Sequence, residues 1–66
     1  MVIQVNGKDS EVAADISVAQ LLEHLEIRPG RVVVELNAEV VSREAHGETQ
    51  LKEGDEVEIV HFVGGG

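Results

Sequence analysis

The sequence predicts an α+β domain, a mixed sheet of four to five strands covered on one face by a single main helix. Three observations carry that prediction. Asn6-Gly7 stands between two short runs and is the strongest short-range hairpin signal a sequence can offer. One stretch alone, Val18, Leu21, Leu22 and Leu25, has the i, i+3, i+4, i+7 spacing of an amphipathic helix. The most apolar strand-like run, residues 57–63, comes last, so the chain finishes on a segment that must be buried among other strands.

The elements follow in order. Residues 2–5 alternate Ile3 and Val5 against Gln4 and Asn6, the pattern of a strand with one covered face. Its hairpin partner is expected at residues 10–14. Ser17 is a helix N-cap, with Gln20 three positions on to complete a capping box and Ile16 placed to staple onto Leu21. The helix should run for about ten residues and end near Glu26 or Ile27, because Pro29 disfavours helical geometry at Arg28. Residues 32–36, Val-Val-Val-Glu-Leu, read as a largely buried third strand, and Asn37-Ala38 turns the chain into the brief apolar pair Val40-Val41. Residues 42–50 show no clean period. Lys52-Glu53-Gly54-Asp55 is a turn that delivers the final strand, residues 56–63.

A hairpin, a helix, a strand, a short crossing segment and a last strand fit one compact domain. Right-handed crossover through the helix makes the last strand parallel to the first. That order is the plan of the β-grasp, or ubiquitin-like, fold. Residues 1–63 are expected to form the domain and residues 64–66 a flexible glycine tail.

Composition narrows the function. At 66 residues, with 42% apolar content, there is material for one small core. The absence of cysteine removes disulfides, thiol nucleophiles and cysteine-based metal sites, and leaves the cytoplasm as the default compartment. Thirteen acidic against five basic residues give a net charge of −8, a field that repels nucleic acid and anionic lipid and attracts basic protein surfaces. No apolar run approaches the length of a membrane span. There is no phosphate loop, nucleophile elbow or metal-ligand spacing, so the chain is not expected to be an enzyme or to bind a metal or cofactor itself.

What remains is the glycine run. Gly64, Gly65 and Gly66 follow the last strand with no linker, and three residues without Cβ atoms can lie in a narrow channel. The reactive group would be the Gly66 carboxylate. A terminal carboxylate is ionised at neutral pH and is a poor electrophile, so it needs activation by another protein, as an acyl phosphate or acyl adenylate. Near this tail, Val57 and Ile59 suit the core, which puts Glu58, Val60 and Phe62 together on the opposite strand face. An exposed Val60 and Phe62 with an acidic rim have the composition of a docking surface, although Phe62 could also fold back as core. His24, His46 and His61 share no ligand spacing and read as structural.

The whole chain resembles the ubiquitin-like sulfur carriers, and among them the sulfur carrier family of thiamine thiazole biosynthesis. The resemblance rests on Met1 to Asn6-Gly7, Val18-Leu21-Leu22, Val33-Val34-Glu35-Leu36-Asn37, and Val40-Val41 followed by Arg43. Its most specific blocks are Leu51-Lys52-Glu53-Gly54-Asp55 and Val57-Glu58-Ile59-Val60-His61-Phe62-Val63-Gly64-Gly65-Gly66. Ser42 stands where such proteins commonly have proline, and Ala38 where a turn glycine is frequent. The resemblance implies that a partner resembling the ubiquitin-activating enzymes uses ATP and magnesium to adenylate the Gly66 carboxylate. A sulfur donor fed by a cysteine desulfurase then leaves a thiocarboxylate, from which thiazole synthase takes the sulfur for the thiazole ring of thiamine. The expected site is Gly66 as the reacting end, with Gly65, Gly64, Phe62, Val60 and Glu58 in contact with partners, on a carrier that is monomeric when free. Two alternatives use the same tail: a carrier like the small subunit of molybdopterin synthase, and a modifier joined to lysines of other proteins.

Overall fold

The structure, a computed structural model, describes residues 1–62. Five strands form one mixed sheet: β1 (Val2–Val5), β2 (Lys8–Glu11), β3 (Val32–Leu36), β4 (Glu39–Val41) and β5 (Glu56–His61), in the order β2-β1-β5-β3-β4. The single helix, α1 (Val18–His24), lies on one face, and 3₁₀ turns occur at Pro29–Arg31 and Arg43–Ala45. The last strand is the middle one. It runs parallel to β1 and antiparallel to β3, as the crossover argument requires.

Asn6 and Gly7 both have positive φ, 51° and 82°, so the first connection is a two-residue turn whose twist suits a hairpin. Such a turn sets Val5 opposite Lys8. The second strand is therefore Lys8–Glu11 rather than residues 10–14. Its sequence, Lys-Asp-Ser-Glu, carries no apolar alternation, because this edge strand lies mostly exposed and contributes main-chain pairing more than side chains.

Ser17 caps α1 as expected: its Oγ accepts from the Gln20 amide at 3.1 Å, and Gln20 Oε1 accepts from the Ser17 amide at 2.9 Å. The helix has seven residues, not about ten. It stops because Glu26 takes a left-handed φ of 60°, with the Glu26 amide donating to the Glu23 carbonyl and the Ile27 amide to the Leu22 carbonyl. That is a Schellman closure with glutamate in the position glycine usually takes. Leu25 becomes the C-cap, leaves the apolar stripe and is 41% exposed.

Residues 42–50 have a task that no periodicity announces. The first helical amides lack partners within the helix, and here Val18 donates to the Thr49 carbonyl at 2.9 Å and Ala19 to the His46 carbonyl at 3.0 Å. His46 is buried in that contact region, and Leu51 enters the core directly after it. The core joins Ile3 and Val57 from the two central parallel strands, Val32, Val34 and Ile59 beside them, and Val18, Leu21 and Leu22 from the helix.

The β3–β4 turn is also of the two-residue kind, with φ 50° at Asn37 and 73° at Ala38. Asn37 holds its place by accepting from the Glu56 amide at 3.0 Å and donating to Asp55 at 3.1 Å, which ties this turn to the start of β5. Ala38 gains nothing comparable and bears the steric cost of a left-handed Cβ. Ala38→Gly is expected to stabilise the domain by about 1 kcal/mol, read as a higher midpoint in urea with an unchanged slope.

Candidate functional site

The sheet has one face under the helix and one open face, and the strand period decides which residues reach each. On β5, Val57 and Ile59 are buried, while Glu58 and Val60 point to the open side, as the alternation predicts. Phe62 follows the strand, 47% exposed, and its amide donates to the Arg31 carbonyl at 3.3 Å, one rung beyond the end of β5. It is not enclosed by the core among the described residues. Val63, Gly64, Gly65 and Gly66 lie outside the described residues, so the reacting end and the tail–domain division expected from the sequence belong to the proposal below.

Register brings further residues to the open face. Val33 stands directly opposite Val60, and Glu35 opposite both Glu58 on one side and Val40 on the other. Val33, Val40 and Val60 are 38%, 66% and 50% exposed, so β3 is not largely buried as its composition suggests. Its valines alternate between core and open face, and a run of three valines conceals that alternation. The result is an apolar patch of Val33, Val40 and Val60 crossed by two facing carboxylates, Glu35 and Glu58. Like charges directly opposite on neighbouring strands oppose pairing, so the arrangement does nothing for the fold. It suits an apolar partner surface that brings a cation.

β1 ends half-way along β5, and a side chain takes over from it. Asn6 Oδ1 accepts from the Ile59 amide at 2.7 Å, the position a further β1 carbonyl would occupy. The hairpin turn residue thereby fixes the strand that leads to the glycine run. None of the three histidines joins this arrangement as part of a cluster: His24 and His61 are exposed, and His46 is buried by the helix start. Among the described residues no group of three or more His, Cys, Asp or Glu side chains could hold a metal ion. No helix among them is long and apolar enough to cross a membrane.

A five-stranded mixed sheet whose last strand lies in the middle, parallel to the first and crossed by one helix, defines a ubiquitin-like β-grasp domain. The comparisons agree. The crystal structure of the thiamine biosynthesis protein ThiS of Geobacter metallireducens is 46% identical and superposes with a TM-score of 0.88, with both chains covered completely. The sulfur carrier protein ThiS of Bacillus subtilis is 42% identical over 97% of this chain and 98% of its own length. The ThiS family model matches residues 3–66, and the chain belongs to that family. It is therefore a small sulfur carrier of thiamine biosynthesis and not an enzyme. A protein called thiazole synthase, from Magnetococcus marinus, is also 42% identical, but this chain spans only 20% of that protein's length.

Proposed function

We propose that the chain carries sulfur as a thiocarboxylate on Gly66. In the first step a carboxylate oxygen of Gly66 attacks the α-phosphorus of ATP on an adenylating enzyme, and pyrophosphate leaves. A sulfur nucleophile supplied by a donor, itself fed by a cysteine desulfurase, then attacks the carbonyl carbon and AMP leaves. A thiol then reduces the S–S bond of the resulting acyl disulfide, forming a disulfide with the donor sulfur, and the freed terminal thiocarboxylate passes its sulfur to thiazole synthase. The nucleotide and magnesium belong to the adenylating enzyme. This chain's part is to present an unhindered acyl end and to hold its partners through Val60, Phe62 and Glu58, with Gly64 and Gly65 lying in their channels.

One observation supports this reading above the others: the strand that leads into the glycine run is the rigid centre of the sheet. It is paired on both sides and pinned at Ile59 by Asn6, so Phe62, the last described residue before the glycine run, follows a firmly held strand. Two proteins named thiazole synthase contain a stretch like this chain within one polypeptide, which suits a carrier working beside that enzyme. Every step uses intracellular nucleotide and sulfide chemistry, so we place the carrier in the cytoplasm.

The test is an intact-mass measurement after incubation with the adenylating enzyme, ATP and a sulfide source. Replacement of one terminal oxygen by sulfur is the expected result. Ligation to another chain, or no change, overturns the reading. In a strain lacking the gene, growth restored by the thiazole precursor is expected, and a requirement for molybdopterin instead sinks the assignment to thiamine.

A further inference from the structure

Of the five basic residues, three belong to two 3₁₀ turns that meet at Gly30, at the end of the sheet where β3 begins. Arg28 and Arg31 bracket one 3₁₀ turn, in which the Arg31 amide donates to the Arg28 carbonyl at 3.0 Å. Arg43 comes from the second 3₁₀ turn and lays its guanidinium against the first. Its Nη1, Nη2 and Cζ are 3.5, 3.5 and 3.6 Å from the point a Cβ on Gly30 would occupy, so the planar group faces the Gly30 backbone. All three side chains are exposed. The other two cations, Lys8 and Lys52, belong to the β1–β2 hairpin and the turn before β5.

Among the described residues none of these arginines has a carboxylate within 4.0 Å, although Glu44 follows Arg43 in the second 3₁₀ turn. Among the described residues the only ion pair within 4.0 Å joins the Met1 amine to Glu11. Glu23 and Glu26 line the same surface groove as Arg28, yet neither is paired with it. Neither folding nor solubility explains the grouping. Like charges gathered on a small surface repel, and solubility is already served by the excess of acids, which the arginines diminish.

Their position supplies a reason. The Arg31 carbonyl accepts from the Phe62 amide, so the cluster flanks the last described residue before the glycine run. A four-residue segment spans at most about 14 Å when extended, so a protein that encloses residues 63–66 must bring the mouth of its channel close to Arg31 and the two 3₁₀ turns beside it. We infer that this cluster docks onto Asp and Glu side chains at the rim of the channel in the adenylating enzyme. The inference rests on the carrier reading above and adds the chemistry of the partner's rim. Planar guanidinium groups suit carboxylates through paired hydrogen bonds, and an acidic rim rejects anionic ends that lack the cluster. Along β5 the acids Glu53, Asp55, Glu56 and Glu58 outnumber Lys52 towards the strand's start, whereas at its finish the three arginines balance Glu23, Glu26 and Glu44. That difference orients the carrier before contact.

The experiment compares the full-length chain with Arg28→Glu/Arg31→Glu and with Arg28→Lys/Arg31→Lys, both of which leave the Arg43–Gly30 packing intact. Thermal unfolding checks the fold, and the adenylating enzyme's kcat and KM for the carrier are measured at several salt concentrations. Charge reversal is expected to raise KM about ten-fold or more, with kcat held within about two-fold and a flatter salt dependence. The lysine variant should recover most of the loss. Unchanged KM in the charge-reversed carrier, at wild-type turnover, overturns the arginine assignment and leaves the carrier reading intact. A wild-type chain that gains no sulfur overturns the carrier reading and this partner with it. Inorganic phosphate and pyrophosphate are added to labelled carrier as a control: saturable shifts confined to Arg28, Arg31 and Arg43 would identify a phosphate site and displace the carboxylate rim.

Discussion

Removing Gly66 is expected to leave a folded protein that gains no sulfur. Among the described residues the buried core reaches no further along the chain than Ile59, so the unfolding midpoint in urea should match that of the intact chain. The chemistry should not survive. A chain ending at Gly65 stops about 3.3 to 3.6 Å short of the phosphorus it must attack, and the bulk of the β-grasp body prevents it from sliding deeper. A misplacement of about 1 Å at a reacting centre can cost about a hundred-fold in rate, so a missing residue should bring thiocarboxylate formation at least that far down. Intact-mass measurement over time reads the loss directly. A variant that acquired sulfur at the wild-type rate would falsify the assignment of Gly66 as the reacting end.

Ile3→Ala is expected to be the most damaging single change in the domain. Ile3 is fully buried on β1, beneath the helix and beside β5. Truncating a buried isoleucine to alanine costs about 2 to 5 kcal/mol in lost burial and cavity formation. A chain of this size has a total stability of about 3 to 10 kcal/mol at the usual 0.05 to 0.15 kcal/mol per residue. The loss is thus a large share of the whole, and it falls at the parallel seam between β1 and β5, where Ile3 packs with Val57 beneath the main-chain bonds from Gln4 to Asp55 and from Asn6 to Val57. Urea unfolding followed by circular dichroism should show a much lower midpoint at unchanged slope. A loss below about 1 kcal/mol would mean that Ile3 does not sit in a close-packed core.

Much of this architecture was legible because the relevant signals are local. Asn6-Gly7 prescribes a two-residue turn, Ser17 with Gln20 a capped helix start, and Val57 and Ile59 the covered face of the last strand. The parallel pairing of β5 with β1 followed from handedness alone. The errors arose where a distant group decides. Nothing local to residues 42–50 says that the carbonyls of His46 and Thr49 will receive the first helical amides. Pro29 places the helix end near Glu26 or Ile27, whereas the chain uses Glu26 at a left-handed closure that glycine normally fills. The polar sequence of β2 gave no strand pattern, since an edge strand is specified by the turn before it.

The candidate site divides in the same way. Glu58 and Val60 could be placed on one face from the two-residue period of a strand. Val33, Glu35 and Val40 could not, because their membership depends on cross-strand register. The arginine cluster is also a product of folding: Arg43 meets Gly30 only when the two 3₁₀ turns come together.

That the centre of the sheet is the last strand to be made has a consequence for how the protein is born. Asn6 and Ile59, 53 positions apart, must both have left the ribosome before their bond can form. The hairpin and the helix can be sketched earlier, but closure waits for the final segment. A nascent chain broken off before Glu56 has β1 and β3 with nothing between them. Such a fragment lacks the strand that joins the two halves of the sheet and cannot present a finished fold, so the order of synthesis acts as its own proofreading.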